Sequence, residues 1–194
     1  GAGGVGLDDR LADVAALAGA TVLCTLDASP AEVGRPQRRL AALEAESRRL
    51  AGAIVYVSTG QGESSTDLAW DGHAIIADNG EVLAENQRYG RGADPITDVD
   101  LDTIRADRLR PSFDANARLG EDAYGLRTVE FDLAPEHRDC GLARPVARFP
   151  FVPTNHAELA VDCEEAYRIQ VQALRQRLSA IGEPKIVIGV SGGL

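Results

Sequence analysis

KIVIGVSGGL, residues 185–194, is the most informative segment of this sequence. Its β-branched, apolar first half is typical of a strand buried in a parallel sheet. The Ser-Gly-Gly that follows predicts a loop whose glycines let backbone N–H groups converge on an anion such as a phosphate. A plain strand-to-helix turn accounts for the same residues equally well, so the rest of the chain has to decide between the two.

The composition indicates a globular protein with one substantial core or two smaller ones, since 44% of its 194 residues are hydrophobic. No apolar run approaches the length of a membrane span, and the first residues lack the basic-then-apolar pattern of a signal peptide. We therefore expect a cytoplasmic protein with no membrane partner. The net charge of −10 argues against a nucleic-acid partner, because phosphate backbones are bound by clustered Lys and Arg.

The cysteines and histidines give no sign of a metal site. Cys24, Cys140 and Cys163 have no CxxC spacing, and the three histidines lie far apart along the chain. Neither a disulfide framework nor a zinc site is expected. The sequence contains no Met, and its last motif stops before it is complete. We interpret the chain as an internal fragment of a longer protein.

The first half of the sequence predicts alternating helices and strands. In chain order we expect a helix over 8–18, a buried strand over 20–26, a helix that Gly34-Arg35-Pro36 opens and Gly52 ends, a strand over 54–57, and a hairpin of strands 72–77 and 81–85. Pro36 suits the first turn of that helix. Asn79-Gly80 suits the two-residue turn of that hairpin, since both residues tolerate positive φ.

The second half predicts fewer regular elements. A helix is expected over 99–110 and an edge strand over 127–133, while residues 134–154 contain four prolines and are interpreted as a linker between two domains. Asn155 is expected to cap a long helix. The apolar stripe of this helix consists of Tyr167, Val171, Leu174, Leu178 and Ile181.

Several segments together resemble the glutamine-dependent NAD synthetases. The order of strand, Ser-Pro loop, helix, strand, polar loop and hairpin is similar to the second half of a nitrilase-superfamily amidase domain. ALAGATVL (16–23), GESSTDLAWDG (62–72) and GVSGGL (189–194) are close to stretches of the synthetase family, and the linker RFPFVP (148–153) joins the two parts. The combination of both parts is far more specific than either alone.

The resemblance implies a fold and a division of the chain. The fold class is α/β: a partial nitrilase-like α-β-β-α sandwich, a linker, and the first helix and strand of a Rossmann-like domain related to the adenine-nucleotide α-hydrolases. Residues 1–133 would be the C-terminal half of a glutaminase domain, 134–154 the linker and 155–194 the start of an ATP-binding synthetase domain. The family converts deamido-NAD to NAD with ATP and Mg²⁺, using ammonia released from glutamine.

The same resemblance implies two sets of binding residues. Ser29 and Arg35 match the positions that hold the substrate glutamine, and a hydroxyl with a guanidinium can bind the α-amino and α-carboxylate groups. A turn serine and a solvated arginine are the structural alternative for this pair. Thr25-Leu26-Asp27 departs from the more common Asn-x-Ser of the family, so we expect the pocket beside Ser29 to differ. The ATP loop would comprise Gly189, Val190, Ser191, Gly192, Gly193 and Leu194.

No residue of this chain matches the catalytic set of the family. The amidases use a Glu base, a Lys and a Cys nucleophile, because a thiolate must be generated beside a cation and a carboxylate. The only lysine, Lys185, lies in the other predicted domain, and none of the three cysteines matches the nucleophile. We expect an inactive fragment of an enzyme whose family assembles into homo-oligomers. The alternatives are a stand-alone nitrilase-type amidohydrolase and a catalytically dead scaffold.

Other polar and aromatic residues are interpreted as structural. The pairs Arg38-Arg39 and Arg48-Arg49 are expected on a solvated helix face, and the carboxylates of Glu63, Asp67 and Asp71 in solvent rather than around a cation. Trp70 and Tyr56 are interpreted as core aromatics, Cys24 as a packing residue of a buried strand, and His73 as a surface or strand histidine.

Overall fold

The computed structural model describes residues 9–63, 67–90, 92–109, 126–134, 139, 141–146, 148–149, 152–153, 155–182 and 184–190. Its helices and strands are, in chain order, α1 (Asp9–Leu17), β1 (Val22–Asp27), α2 (Arg35–Leu50), β2 (Ala53–Ser58), β3 (Ala74–Asp78), β4 (Glu81–Glu85), α3 (Leu101–Asp107) and α4 (His156–Ala180). The chain divides into two compact units, residues 1–145 and 146–194. The division falls within the predicted linker, while the domain limits 1–133, 134–154 and 155–194 stay a prediction.

The first unit is built on a mixed four-stranded sheet with the order β1-β2-β3-β4. β1 and β2 are parallel, as two strands joined by the crossover helix α2 should be. β3 runs antiparallel to β2 and to β4. Asn79 and Gly80 close the β3–β4 hairpin with φ of 48° and 90°, which confirms the predicted turn.

One face of the sheet is covered by helices and carries the core. The strand register aligns Leu23 with Ile54 and Ala77, and Thr25 with Tyr56 and Ile75, so these side chains share a face. The core consists of Ala12, Ala16, Leu23, Leu43, Leu50, Ile54, Tyr56, Ile75 and Ala77. The residues of β1 between the core positions point to the other face, where Cys24 and Leu26 are exposed. The prediction that Cys24 is a packing residue of a buried strand was wrong for the described part of the chain, where helices cover only one face of the sheet and Cys24 lies on the other.

Helix α2 faces the sheet with one residue per turn. Its buried positions are Pro36, Arg39, Leu43, Ser47 and Leu50, which follow the three- and four-residue spacing of a helix face. Pro36 lies in the first turn, where its missing N–H costs no hydrogen bond. Ser47 Oγ accepts a hydrogen bond of 2.8 Å from the Gly80 N–H and thereby ties α2 to the hairpin turn.

Arg108, just after α3, hydrogen-bonds to backbone carbonyls at the C-terminal ends of α1 and α2 and so connects the three helices. Its guanidinium donates to the carbonyl oxygens of Ala16, Ala20, Leu50 and Ala51 at 2.8 to 3.2 Å. Carbonyls at the ends of helices lack partners within the helix, so one side chain satisfies the C-terminal ends of both α1 and α2. Burial lowers the pKa of Arg108.

Two predicted strands are absent from the structure. Residues 126–134 form no strand, and Val129, Phe131 and Leu133 are all well exposed. Residues 184–190 likewise form no strand, and Val187 is 95% exposed. Both segments have the apolar pattern of a strand, but neither pairs with any of the described strands, and a strand is stable only when its backbone is paired. The strand expected at the start of a Rossmann-like domain is thus not formed by residues 184–190, and the Rossmann-like domain itself stays a prediction.

Helix α4 is confirmed, with Asn155 as its N-cap. The Asn155 side chain accepts a hydrogen bond of 3.0 Å from the Ala157 N–H. No residue of the predicted apolar stripe is buried: Tyr167, Leu174 and Ile181 are 63%, 49% and 69% exposed, and Val171 and Leu178 are half-buried. In the part of the chain that the structure describes, no helix is both long enough and apolar enough to cross a membrane.

Candidate amino-acid binding site

The candidate site is the loop between β1 and α2, which carries both residues predicted to hold glutamine. The loop begins at the carboxyl end of a parallel strand, where open α/β sheets place ligands. Backbone hydrogen bonds from Ala31 N–H to Ala69 O at 2.7 Å and from Thr59 N–H to Asp27 O at 2.9 Å hold it against neighbouring segments. Ser29 lies near its start and Arg35 at its end, where α2 begins.

Ser29 is held by the last residue of β1. Its backbone N–H and its Oγ both donate to Asp27 Oδ1, at 3.0 and 2.6 Å. The other carboxylate oxygen, Oδ2, accepts a hydrogen bond from the hydroxyl of Tyr56. Burial alone would raise the pKa of Asp27, but the hydrogen bonds from Ser29 and Tyr56 outweigh it and lower this pKa below its usual value. Asp27 is therefore ionised at neutral pH.

Arg35 is held by contacts within the same loop. Its Nη1 donates to the carbonyl oxygen of Pro30 at 2.6 Å, and its Nη2 to Glu32 Oε1 at 2.5 Å. Arg38 lies 3.6 Å from the second oxygen of Glu32. A carboxylate thus already contacts the guanidinium that is predicted to bind the α-carboxylate of glutamine.

A buried ion pair lies beneath this loop. Arg39 Nη1 donates to Asp71 Oδ2 at 2.9 Å, and the two side chains are only 2% and 1% exposed. Ser58 Oγ donates to the other oxygen of Asp71 at 2.9 Å. Burial would raise the pKa of Asp71, but these hydrogen bonds outweigh it and lower the pKa. The guanidinium carbon of Arg39 also lies 5.0 Å from the centre of the Tyr56 ring, a cation–π distance.

His73 extends the polar cluster to β4. Its Nδ1 lies 2.9 Å from Arg39 Nη1, and its Nε2 lies 2.8 Å from Glu85 Oε1. Because a guanidinium can only donate, Nδ1 is the acceptor and the ring proton lies on Nε2, facing Glu85. Burial lowers the pKa of His73 and outweighs the opposing effect of Glu85, so the ring is neutral at neutral pH.

These contacts correct three sequence-based interpretations. Arg39 is buried and paired rather than on a solvated face, Asp71 is its partner rather than a solvated loop carboxylate, and His73 is fully buried. The spacing gave a signal for Arg39, since it lies three residues after Pro36 and four before Leu43 on the same face. No comparable spacing identified its partners, Asp71 and His73. Tyr56 is a core aromatic, as predicted.

The other candidate residues do not join this site. Cys24 and Cys163 are exposed free thiols, whereas Cys140 and His137 lie outside the described residues. The described residues contain no group of three or more His, Cys, Asp or Glu side chains that could hold a metal ion. In the predicted ATP loop, Gly189 and Val190 are exposed, whereas Ser191, Gly192, Gly193 and Leu194 lie outside the described residues.

Three curated proteins with similar sequences carry the same enzyme name. The chain is 51% identical over 184 residues to the glutamine-dependent NAD(+) synthetase of Mycobacterium bovis, covering 93% of this chain and 27% of the relative. The same enzyme of Mycobacterium leprae is 50% identical over 184 residues, again 27% of its length. That of Thermotoga maritima is 31% identical over 178 residues, covering 91% of this chain and 28% of the relative.

Comparisons with solved structures and with family profiles do not extend the likeness found by sequence. A glutamine-dependent NAD+ synthetase from Acinetobacter baumannii, in complex with ADP, aligns over 49% of this chain and 17% of its own, with 29% identity and a TM-score of 0.40. No protein-family profile matches the chain. The chain spans about a quarter of the length of its curated relatives, 27% for the first of them. The predicted resemblance is confirmed: over nearly all of its length, the chain is homologous to a segment of the glutamine-dependent NAD(+) synthetases.

Proposed function

We propose that this chain is part of a glutamine-dependent NAD synthetase and that its β1–α2 loop binds the glutamine that supplies ammonia. The observation that supports this most is the 51% identity over 184 residues to an enzyme of that name. The placement of Ser29 and Arg35 on one loop at the end of a parallel strand agrees with it.

The proposal divides the chain as the sequence predicts. Residues 1–133 belong to a partial nitrilase-like glutaminase domain, 134–154 to a linker and 155–194 to the start of a Rossmann-like ATP-binding domain. The exposed face of β1, including Leu26 at 85%, fits a sheet that packs against a second layer, as an α-β-β-α sandwich requires. The proposed protein is cytoplasmic and homo-oligomeric, and its partners are small-molecule substrates.

The role of this chain in the reaction is to hold glutamine. Arg35 offers a two-pronged donor to the α-carboxylate, and Ser29 offers its hydroxyl oxygen to the α-ammonium group. No residue of the chain matches the Glu, Lys and Cys of amide cleavage, so we assign no catalytic residue here. We expect the isolated chain neither to hydrolyse glutamine nor to form NAD, and turnover of either would contradict this.

The nucleotide chemistry is proposed from homology alone. ATP with Mg²⁺ would activate the nicotinate carboxylate of deamido-NAD by adenylation, so that ammonia can displace AMP. We propose residues 189–194 as part of the phosphate-binding loop. No described cluster of side chains is suited to Mg²⁺, and we assign no ligand of this ion to the chain.

The test uses the full-length gene product that contains residues 1–194. NAD formation from deamido-NAD and ATP is measured with glutamine and, separately, with ammonium chloride as the nitrogen source. Arg35→Ala is expected to raise the KM for glutamine by about 10-fold or more, the value of a charge-assisted hydrogen bond, and to leave the ammonium-supported rate unchanged.

Arg38→Ala is the matched control, since Arg38 contacts the same Glu32 but is 66% exposed. It should change neither rate. The proposed function fails if the wild-type protein forms no NAD from either nitrogen source. The role of Arg35 fails if its replacement leaves the KM for glutamine unchanged.

A further inference from the structure

Asp27 fixes the orientation of the Ser29 hydroxyl. Both donors of Ser29, its backbone N–H and its hydroxyl, are directed to the same oxygen, Asp27 Oδ1. A hydroxyl has a single hydrogen, so once that hydrogen contacts Asp27, Ser29 Oγ can only accept a further hydrogen bond. The group that Ser29 meets in the site must therefore be a donor.

The position of Asp27 is set from the opposite side by the core. Tyr56, whose hydroxyl donates to Asp27 Oδ2, is fully buried, and its ring stacks against the guanidinium of buried Arg39. The two carboxylate oxygens are thus bound by different segments, the loop and β2. Since hydrogen bonds to an ionised group favour the ionised form, the same contacts that orient Asp27 also keep it charged.

The loop presents opposite charges at its two ends. Asp27 with Ser29 offers a negative charge and an acceptor oxygen, and Arg35 offers a guanidinium that Glu32 contacts at one of its nitrogens. An amino acid carries a matching pair, an α-ammonium and an α-carboxylate group, on one carbon atom. A carboxylate at this position has a further consequence, because it attracts a protonated amine and gives no advantage to a ligand without one.

We propose that Asp27, together with Ser29, binds the α-ammonium group of the amide substrate and thereby strengthens the preference of this site for α-amino acids. The inference rests on the proposed function and deepens it. It assigns to Asp27 a role that differs from that of Arg35, since Arg35 recognises the carboxylate that many acids share, while Asp27 recognises the amine.

The test compares two amides that differ in one group, with the full-length gene product. Glutamine carries the α-ammonium group, and 4-carbamoylbutanoate is the same molecule without it. Hydrolysis of each amide is followed as ammonia release, and kcat/KM is determined for both. Asp27→Asn removes the charge and keeps an oxygen that accepts from Ser29, while its amide nitrogen can donate to the Tyr56 hydroxyl.

For Asp27→Asn we expect kcat/KM for glutamine to fall about 10- to 100-fold, the range of a charge-assisted hydrogen bond, with kcat/KM for 4-carbamoylbutanoate unchanged. The preference for the amino acid therefore collapses. Tyr56→Phe keeps the charge of Asp27 and should retain most of the preference. Asp102→Asn, at a side chain that is 93% exposed, is the matched control and should change neither value.

Two outcomes would overturn the inference while the proposed function stands. One is an Asp27→Asn protein that keeps the full preference for glutamine. The other is an equal loss on both amides, which indicates a structural role for Asp27. If the wild-type protein hydrolyses neither amide, the proposed function itself fails and the inference fails with it. The ammonium-supported rate of Asp27→Asn, expected at the wild-type level, shows that the variant is folded.

Discussion

Helices α2 and α4 have the same kind of apolar periodicity but opposite burial. In α2 the face contains Leu43, 1% exposed, and Leu50, 3% exposed, whereas in α4 Leu174 is 49% exposed and none of the helix is buried. Apolar periodicity therefore predicts which residues share a helix face, but not whether that face is covered. α2 is held by the sheet, while the contacts described for α4 are local, such as its N-cap and the Arg168–Glu164 pair.

The largest effect is expected from breaking the ion pair on the covered face of α2. Arg39→Ala removes the hydrogen-bonded cationic partner of the buried Asp71 carboxylate and leaves it the more distant guanidinium of Arg88, 3.9 Å away, which should lower the free energy of unfolding by about 3–5 kcal/mol. Urea denaturation followed by circular dichroism measures this. Arg38→Ala, one residue away and 66% exposed, should stay within about 0.5 kcal/mol of wild type. A loss below about 1 kcal/mol for Arg39→Ala would contradict the role of the pair.

A matched pair of leucines tests the comparison directly. Leu43→Ala should cost about 2–5 kcal/mol, because it removes a buried side chain and leaves a cavity. Leu174→Ala should cost less than about 0.5 kcal/mol, since the side chain is already half exposed and alanine favours a helix. Both are measured by urea denaturation. Equal losses at the two positions would mean that the stripe of α4 is covered in solution.

Arg108→Ala is expected to cost about 2 kcal/mol. It removes the donor of four carbonyl oxygens, and water can replace only part of these hydrogen bonds at a half-buried position. Thermal unfolding monitors the loss. Arg105→Ala, 63% exposed on the preceding helix, serves as the control and should unfold at the wild-type temperature. An unchanged midpoint for Arg108→Ala would show that the helix ends do not depend on this side chain.

The smallest effect is a pH dependence that comes from His73. Its pKa is lowered in the folded protein from an ordinary value of 6.5, so below that pH the unfolded chain binds more protons than the folded one. Stability should thus be complete above about pH 6.5 and decline as the pH falls from there. Urea midpoints between pH 7.5 and 5 measure the slope, and His73→Gln should flatten it. A slope of the opposite sign would mean that the pairing with Glu85 prevails over burial.

The elements that local chemistry specifies were predictable from sequence. The Asn79-Gly80 turn, the Asn155 cap and the Pro36 helix start each depend on neighbouring residues, and each was confirmed. The strands expected over 127–133 and 185–190 do not form. A strand needs a neighbouring strand to pair with, and an apolar pattern does not show whether one is present.

The position of the candidate site could be predicted from the sequence, but its hydrogen bonds could not. The motif located Ser29 and Arg35 on one loop, but the contacts that hold them could not be read from it. Asp27 meets Tyr56 and Arg39 meets Asp71 only after the sheet forms, since the partners lie 29 and 32 residues apart in the sequence. A charged residue on a helix is most often solvated, so Arg39 was misassigned despite its favourable spacing.

Because Arg35 already pairs with Glu32, ligand binding at this loop exchanges one carboxylate contact for another. An arriving carboxylate competes with one that already pairs with the same guanidinium. Salt weakens the internal pair and the incoming pair alike. The affinity of an acid for Arg35 should consequently depend on ionic strength much less than its affinity for an unpaired arginine. Competition from Glu32 also limits the highest affinity that any acid can reach at this guanidinium.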